Sequence, residues 1–506
     1  QGNMIVHLAD EGASVGLDFY ACAPGTARAD MYTWVESPTQ GGYRFVTEGD
    51  LNATGGLSVC IPGNVCGWVT AHRRWGKLSL ETVVSPAVAA CGGVALSERI
   101  AGFVVENRDR LARFPETAAL FLRRDGSPKR PGEVLVQPEL AETIRRIAAE
   151  GYEPFYTGDI AEDIAARVRG AGGILTEEDL ARYPEELMWT RRPDRGAFRD
   201  HQVETPTPSS SAMLLPTLAV LGGIEFERYG WLSADHLHLL VEGMKPGVAD
   251  RLAHVGDHTF VNLPLKGLLH PDYGAERRRS LRLDRASFPE AGDPWAFQGG
   301  GADDGKLTPV GASDHSGDGG CTTHHSHVDR WGNFVSMSQS LGDAFGSALM
   351  VPNRGLLLNN AMKLFDPRPS ARAARISPYK RPLAPCPTLV LKDGRPLLAL
   401  GSPSGTRIVS AIAQVLVNMF VYGRGLQASI DAPRVHWSGD EFEAEGSLPP
   451  DVRADLAARG HDVSNRGAGS PWFGAVQAAW RDPDSGLCKG AADPRRQGAA
   501  AGASFP

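Results

Sequence analysis

The residues best suited to chemistry are Cys321 and Thr322. Ser287 to Gly320 is rich in Gly, Asp, Ser and Pro and has almost no periodic apolar residues. It ends in SGDGGC and breaks abruptly into TTHHSHVDRWGNFVSMSQS. A structureless stretch of this length is unusual in a compact domain unless it is a functional loop or a linker. A hydroxyl residue at a strand start behind such a loop is what a self-cleaving precursor needs. The loop lets the Thr322 hydroxyl swing onto the preceding carbonyl; an N-to-O acyl shift, with hydrolysis of the resulting ester by water, then frees a new N-terminal Thr. A free α-amine has a reference pKa of about 7.7–8.0, so it can take the proton from its own hydroxyl. Nucleophile and base then share one residue. Thr after a Gly-rich loop is also common without any chemistry, so spacing alone does not decide.

Other reactive groups are weaker candidates. His324, His325, His327 and Asp329 could be read as metal ligands, but on a strand His325 and His327 share a face and His324 points away. No second His/Cys pair stands at ligand spacing, so neither a metal nor an organic cofactor is expected. Cys22, Cys60, Cys66, Cys91, Cys321, Cys386 and Cys488 are scattered, without CxxC, and read as packed free thiols. Lys363 and Asp366 are either substrate contacts or a solvated pair. Arg407 and Arg434 read as structural, and Trp472 with Phe473 as packing.

These groups need a scaffold. A chain of 506 residues suggests roughly three domains at about 150 residues each. Net charge is −7 with no basic run, which argues against a nucleic-acid partner. No apolar run reaches membrane-spanning length. The QGNM opening, without an initiator Met or signal segment, reads as a processed or truncated start. The thiols favour the cytoplasm, with a periplasmic or secreted location left open.

Strands are expected at Met4–Leu8, Val15–Phe19, Phe198–Glu204, Leu356–Leu358, Thr388–Leu391 and Leu397–Leu400, and on both sides of an RWGN turn. Helices are expected at 79–98, 139–150, 159–169, 213–221, 233–253 and 409–422. Gly151 and Gly170 are expected as C-caps, Thr176 as an N-cap, and PTPSSS (206–211) as a turn.

The motifs TTHHSHVDRWGNFVSM, RGLLLNNAM, KRPLAPCPTLVLKDGRP, GSPSGTRI and DAPRVHW resemble the small subunit of the γ-glutamyltranspeptidase family. LDFYACAPGTARADMY, IPGNVCGWVTAHRRWGKLSLETVVSPA and FYTGDIAEDIAARVRGAGGILTEEDLARY match its large subunit in order. The likeness runs from Gly2 to about Arg496 and lacks the family's N-terminal helical hairpin. It implies an α+β fold, the four-layer αββα sandwich of the N-terminal-nucleophile hydrolases. One composite domain would form from a large segment, residues 1–321, and a small segment, residues 322–506, and two such units could pair as a dimer.

The resemblance also implies roles. Cleavage would fall between Cys321 and Thr322, with Thr322 the nucleophile, Ser340 an assisting hydroxyl, and the N–H groups of Ser404 and Gly405 the oxyanion donors. Ser404 replaces a glycine. Asn359 and Asn360 keep an Asn pair. The substrate-reading positions differ from the family: Tyr20 stands for an Arg, Ala384 and Pro385 for two serines, Leu364 for an acid, Ala361 for a Gln, and Gly342 for an Asn, with Asp343 next to it. Asp366 would serve as the acid only after a register shift. A zwitterionic head group needs a fixed cation and a fixed anion, and both are expected to be missing. The implied activity is amide cleavage through an acyl-enzyme, resolved by water or an amine, on a small non-glutamyl amide of the oxamate, glutaryl or cephalosporin type. The alternatives are a genuine γ-glutamyl enzyme and an unprocessed, non-catalytic chain.

Overall fold

The computed structural model describes residues 1–35, 45–299, 321–368, 375–383, 385–437, 439 and 441–503. Two antiparallel sheets form its centre. The first has five strands: β1 (Gly2–Leu8), β2 (Ala13–Phe19), β3 (Trp189–Arg191), and later β6 (Thr323–Val328) and β7 (Phe334–Gln339), in the order β3-β2-β1-β7-β6. The second has six: β4 (Asp194–Phe198), β5 (His201–Thr205), β8 (Thr388–Lys392), β9 (Arg395–Gly401), β10 (Gln477–Arg481) and β11 (Cys488–Ala492), in the order β11-β10-β9-β8-β5-β4.

The sheets stack through one apolar cluster. Ile5 and Phe334 of the first meet Leu389, Leu391 and Ala399 of the second, all buried. Polar ties cross the same gap. The buried Ser336 hydroxyl donates to the Leu400 carbonyl at 3.0 Å and accepts from the Thr388 N–H at 3.0 Å. The outer face of the first sheet (Met4, Val6, Leu17, Phe19) packs against Ala71 and Trp75 of helix α1 (Asn64–Trp75). Helix α2 (Asp159–Gly170) joins a second apolar cluster with α1. The second sheet is covered by α3 (Pro208–Gly222), α4 (Ala234–His254) and α5 (Arg407–Phe420), whose side chains join the largest core. The result is the expected αββα sandwich, an α+β fold. Among the described residues no helix is long and apolar enough to cross a membrane.

Several expected elements shift. Phe198–Glu204 is not one strand. Arg199 turns left-handed (φ 56°), and the segment is split into the hairpin of β4 and β5. PTPSSS is not only a turn: Thr207 and Ser210 form a capping box, so α3 starts at Pro208. The helix expected at 79–98 ends at Cys91, with Ser79 as its N-cap, and another begins at Glu98. Gly170 is the last helical residue of α2 rather than its cap, whereas Gly151 caps at φ 86°. Thr176 forms a capping box with Asp179. Residues 300–320 of the Gly-rich segment lie outside the described residues. Ser287, at its start, donates to Glu242. The cysteines are free thiols, most of them buried.

Phe334 is wholly buried between the sheets. Phe334→Ala should cost about 3–5 kcal/mol, read as a lowered melting temperature and denaturant midpoint. An unchanged midpoint would mean that the sheets are not held together here.

Candidate active site

The geometry around Thr322 follows from strand pairing. In the β6–β7 hairpin Thr323 pairs with Gln339, so the next residues out, Thr322 and Ser340, face each other. Their hydroxyl oxygens lie 3.4 Å apart. β1 lies beside β7, and the Ser340 N–H donates to the Gln1 carbonyl at 2.8 Å. The Ser340 Oγ also accepts from the Gly342 N–H at 2.9 Å, and the Gly342 carbonyl accepts from Cys321 N at 2.9 Å. Gly342 has φ 99°, and a Cβ there would run into Asn360 Oδ1. That close approach accounts for glycine at this position.

Opposite this hairpin, the turn after β9 leads into α5. Ser404 (φ 91°) and Gly405 (φ 57°) are both left-handed. Their carbonyls accept from Arg407 N and Ile408 N, opening the helix. Among the described residues neither the Ser404 nor the Gly405 N–H is used by a protein acceptor. Two amide donors at a helix start suit a developing negative charge.

A cleft of about 220 Å³ opens at Thr322, Ser340, Gly342 and Gly405. It runs between α3, α4 and α5, with Met213, Val248, Leu252, Val255, Leu383 and Ile408 as apolar wall. Tyr20, Leu364 and Pro385 also line it. Tyr20 is buried, and its hydroxyl accepts from Gln1 Nε2 at 3.4 Å. Burial pushes its phenol well above the usual range.

The other expected substrate residues are placed differently. Ala361 is buried in an apolar cluster with Ala21, Cys60 and Phe365 and does not line the cleft. Asn360 and Asp343 stand behind the wall: Asn360 Nδ2 donates to Asp343 Oδ2 at 3.0 Å, and Asn360 Oδ1 accepts from Asp343 N at 2.9 Å. Asn359 bonds both ways with the Cys60 backbone. Ala384 lies outside the described residues.

The expectation that no cation or anion borders the site needs correction. Lys363 lines the cleft and forms a largely buried ion pair with Asp343 rather than with Asp366, so Lys363 and Asp366 are not a solvated pair. Asp366 lines it too, held by Arg368 at 2.6 Å. Arg251, Asp257, Lys380 and Arg381 add further charge. Burial lowers Lys380 to about 8. Arg251, Asp257, Lys380 and Arg381 were missed because they reach the cleft from segments far from Thr322 in sequence.

The histidines are structural. His324 is buried, with its ring nitrogens 2.8 Å from Ser338 Oγ and 2.9 Å from Ser326 Oγ. Burial pushes it down to about 3, so it is neutral. His325 and His327 stack 6.2 Å apart on the other face, as the alternation predicts. A different trio, His238, Glu242 and His461, converges elsewhere and is fully buried. There Glu242 is already matched by Lys245 Nζ at 2.6 Å and by Ser287, and His238 bonds His461 at 2.7 Å. Arg434 is tied to Asp493 at 2.5 Å, Arg407 lies over the Trp472 ring, and Phe473 is buried; none of the three lines the cleft.

Comparisons with known proteins bear on the family and the fold. The family model described as gamma-glutamyltranspeptidase matches residues 1–503. The glutathione hydrolase proenzyme of Bacillus subtilis (strain 168) is 35% identical over 460 residues, covering 89% of this chain and 75% of that protein. The Acylase ACY 1 proenzyme of Pseudomonas sp. (strain SE83) is 34% identical over 462 residues, covering 90% and 78%. The crystal structure of cephalosporin acylase from Bacillus halodurans superposes with a TM-score of 0.84 at 26% identity, covering 100% of this chain and 87% of that one. The fold and these relatives define an amide hydrolase of the N-terminal-nucleophile class. Within that class the chain belongs to the γ-glutamyltranspeptidase family.

The buried histidines imply a pH dependence. An unfolded His takes up a proton near pH 6.5, whereas folded His324 and His461 resist until about 3 and His236 until about 4. The unfolded state therefore binds more protons below pH 6.5, and stability falls as pH drops from there. The melting temperature should be lower at pH 5 than at pH 7.5, with a shallower slope for His324→Gln. A flat profile would mean that these imidazoles are charged in the fold.

Proposed function

We propose that the chain is cut between Cys321 and Thr322 and that the freed Thr322 cleaves amides whose acyl group is not γ-glutamyl. The observation that carries this reading is the cleft at Thr322, with its long aliphatic wall and with Tyr20, Leu364 and Pro385 on its surface. An aliphatic wall favours an acyl chain with an apolar body, and the cations Arg251, Lys363, Lys380 and Arg381 favour a negative group on it. Residues 1–321 and 322–506 then act as two segments of one domain.

The reaction uses the residues already in place. The α-amine of Thr322, aided by Ser340, takes the hydroxyl proton. The oxygen attacks the amide carbonyl, and the Ser404 and Gly405 N–H groups receive the oxyanion. The amine leaves with a proton, and water or a second amine then attacks the acyl-enzyme and restores the hydroxyl.

One observation favours a second reading. Lys363 and Asp343 place a cation and an anion beside Gly342, and a zwitterionic γ-glutamyl head group could exchange partners with them. Rates on glutaryl- and γ-glutamyl-p-nitroanilide separate the two. The first reading expects kcat/KM at least about tenfold higher for the glutaryl amide, equivalent to ~1.4 kcal/mol. The reverse order, with a large loss in Lys363→Met, supports the second.

Intact mass should show two fragments divided at Thr322. Thr322→Ala should remain a single 54.1 kDa chain without turnover. Turnover by that variant would remove Thr322 from the mechanism.

A further inference from the structure

Arg496 joins the two halves of the candidate site. Its Nη2 donates to Ser404 Oγ at 2.8 Å, and its Nη1 lies 3.4 Å from the Thr322 carbonyl. Ser404 is 5% exposed and holds φ 91°, a backbone state in which a side chain other than glycine's is strained. Such a conformation persists only where its surroundings hold it. The neighbouring side chains supply rigid mounting. Arg495, the preceding residue, bonds Glu445 at 2.6 Å, Asp493 at 3.2 Å and the Ala432 carbonyl at 2.7 Å. Asp493 in turn holds Arg434 and accepts from Val476 N at 2.9 Å. Nearly all of this ion network is buried.

We propose that Arg496 is a positioning residue: its guanidinium clamps the Ser404 hydroxyl and the Thr322 carbonyl together, setting the distance between the attacking oxygen and the amide donors. This inference rests on the mechanism proposed above. The fork of a guanidinium suits it, since two N–H groups leave in fixed directions and an ammonium cannot copy that geometry. Arg496 touches neither the acyl group nor the leaving amine, so its loss falls on kcat rather than on KM. A misplacement of about 1 Å in such a site can cost on the order of 100-fold in rate.

A double-mutant cycle on the matured enzyme tests the clamp. Arg496→Ala should lower kcat by about 10- to 100-fold with KM changed less than about threefold. Ser404→Gly removes both the strain and the hydroxyl that Arg496 grips. In that background the Arg496→Ala loss should shrink by at least about fivefold, since interacting residues are not additive. Equal losses in both backgrounds overturn the clamp, as does a loss confined to KM. Should Arg496→Ala stay uncut by mass, the same cycle is read with Arg496→Lys, which keeps the charge without the fork. A melting temperature measured for each variant separates misplacement from unfolding. Turnover by Thr322→Ala would sink the underlying mechanism, whereas an additive cycle in an enzyme that needs Thr322 sinks only the clamp.

Discussion

Everything in the site depends on one register, that of the β6–β7 hairpin. Thr323 pairs with Gln339 and Val328 with Phe334. The hairpin turn is pinned by Asp329, whose carboxylate accepts from Trp331 N, Asn333 N and Asn333 Nδ2. A slip of one residue would turn every side chain to the other face. His324, Ser336 and Ser338 would leave the gap between the sheets, where they are buried, and the half-exposed His325 and His327 would have to enter it. The inter-sheet bonds of Ser336 would be lost at the same time, leaving the Leu400 carbonyl and the Thr388 N–H without that partner. A buried polar layer thus specifies where Thr322 stands, and the apolar layer beside it supplies adhesion.

The same logic of paired burial governs the charges. Lys363 faces Asp343, Asp366 faces Arg368, and Arg434 and Arg495 share Asp493 and Glu445. Each of these ions has a counter-ion, so its desolvation is offset. The pocket's chemistry is therefore set by which pairs border it more than by any single residue.

Much of this was legible in the sequence. The polar loop breaking into TTHHSH drew attention to Thr322 and the family resemblance singled it out, alternation along the strand separated His324 from its neighbours, and Ser79 and Thr176 located two helix starts. What was not legible came from distance in the chain. Arg496 is 174 residues from Thr322, and Arg251 enters the cleft from a helix in the first half of the fold; no local pattern joins them. Asp343 and Lys363 are 20 residues apart, yet only the fold makes them an ion pair. Where local reading failed, as at Arg199, a non-glycine residue with positive φ broke an otherwise plausible strand.

The late strands have a consequence for biosynthesis. β10 and β11 complete the second sheet, and Asp493, Arg495 and Arg496 come directly after them. The surroundings of the Cys321–Thr322 bond are therefore unfinished until the chain has left the ribosome through Arg496. The order of synthesis therefore leaves the Thr322 hydroxyl without its full set of neighbours while those residues are still to be made.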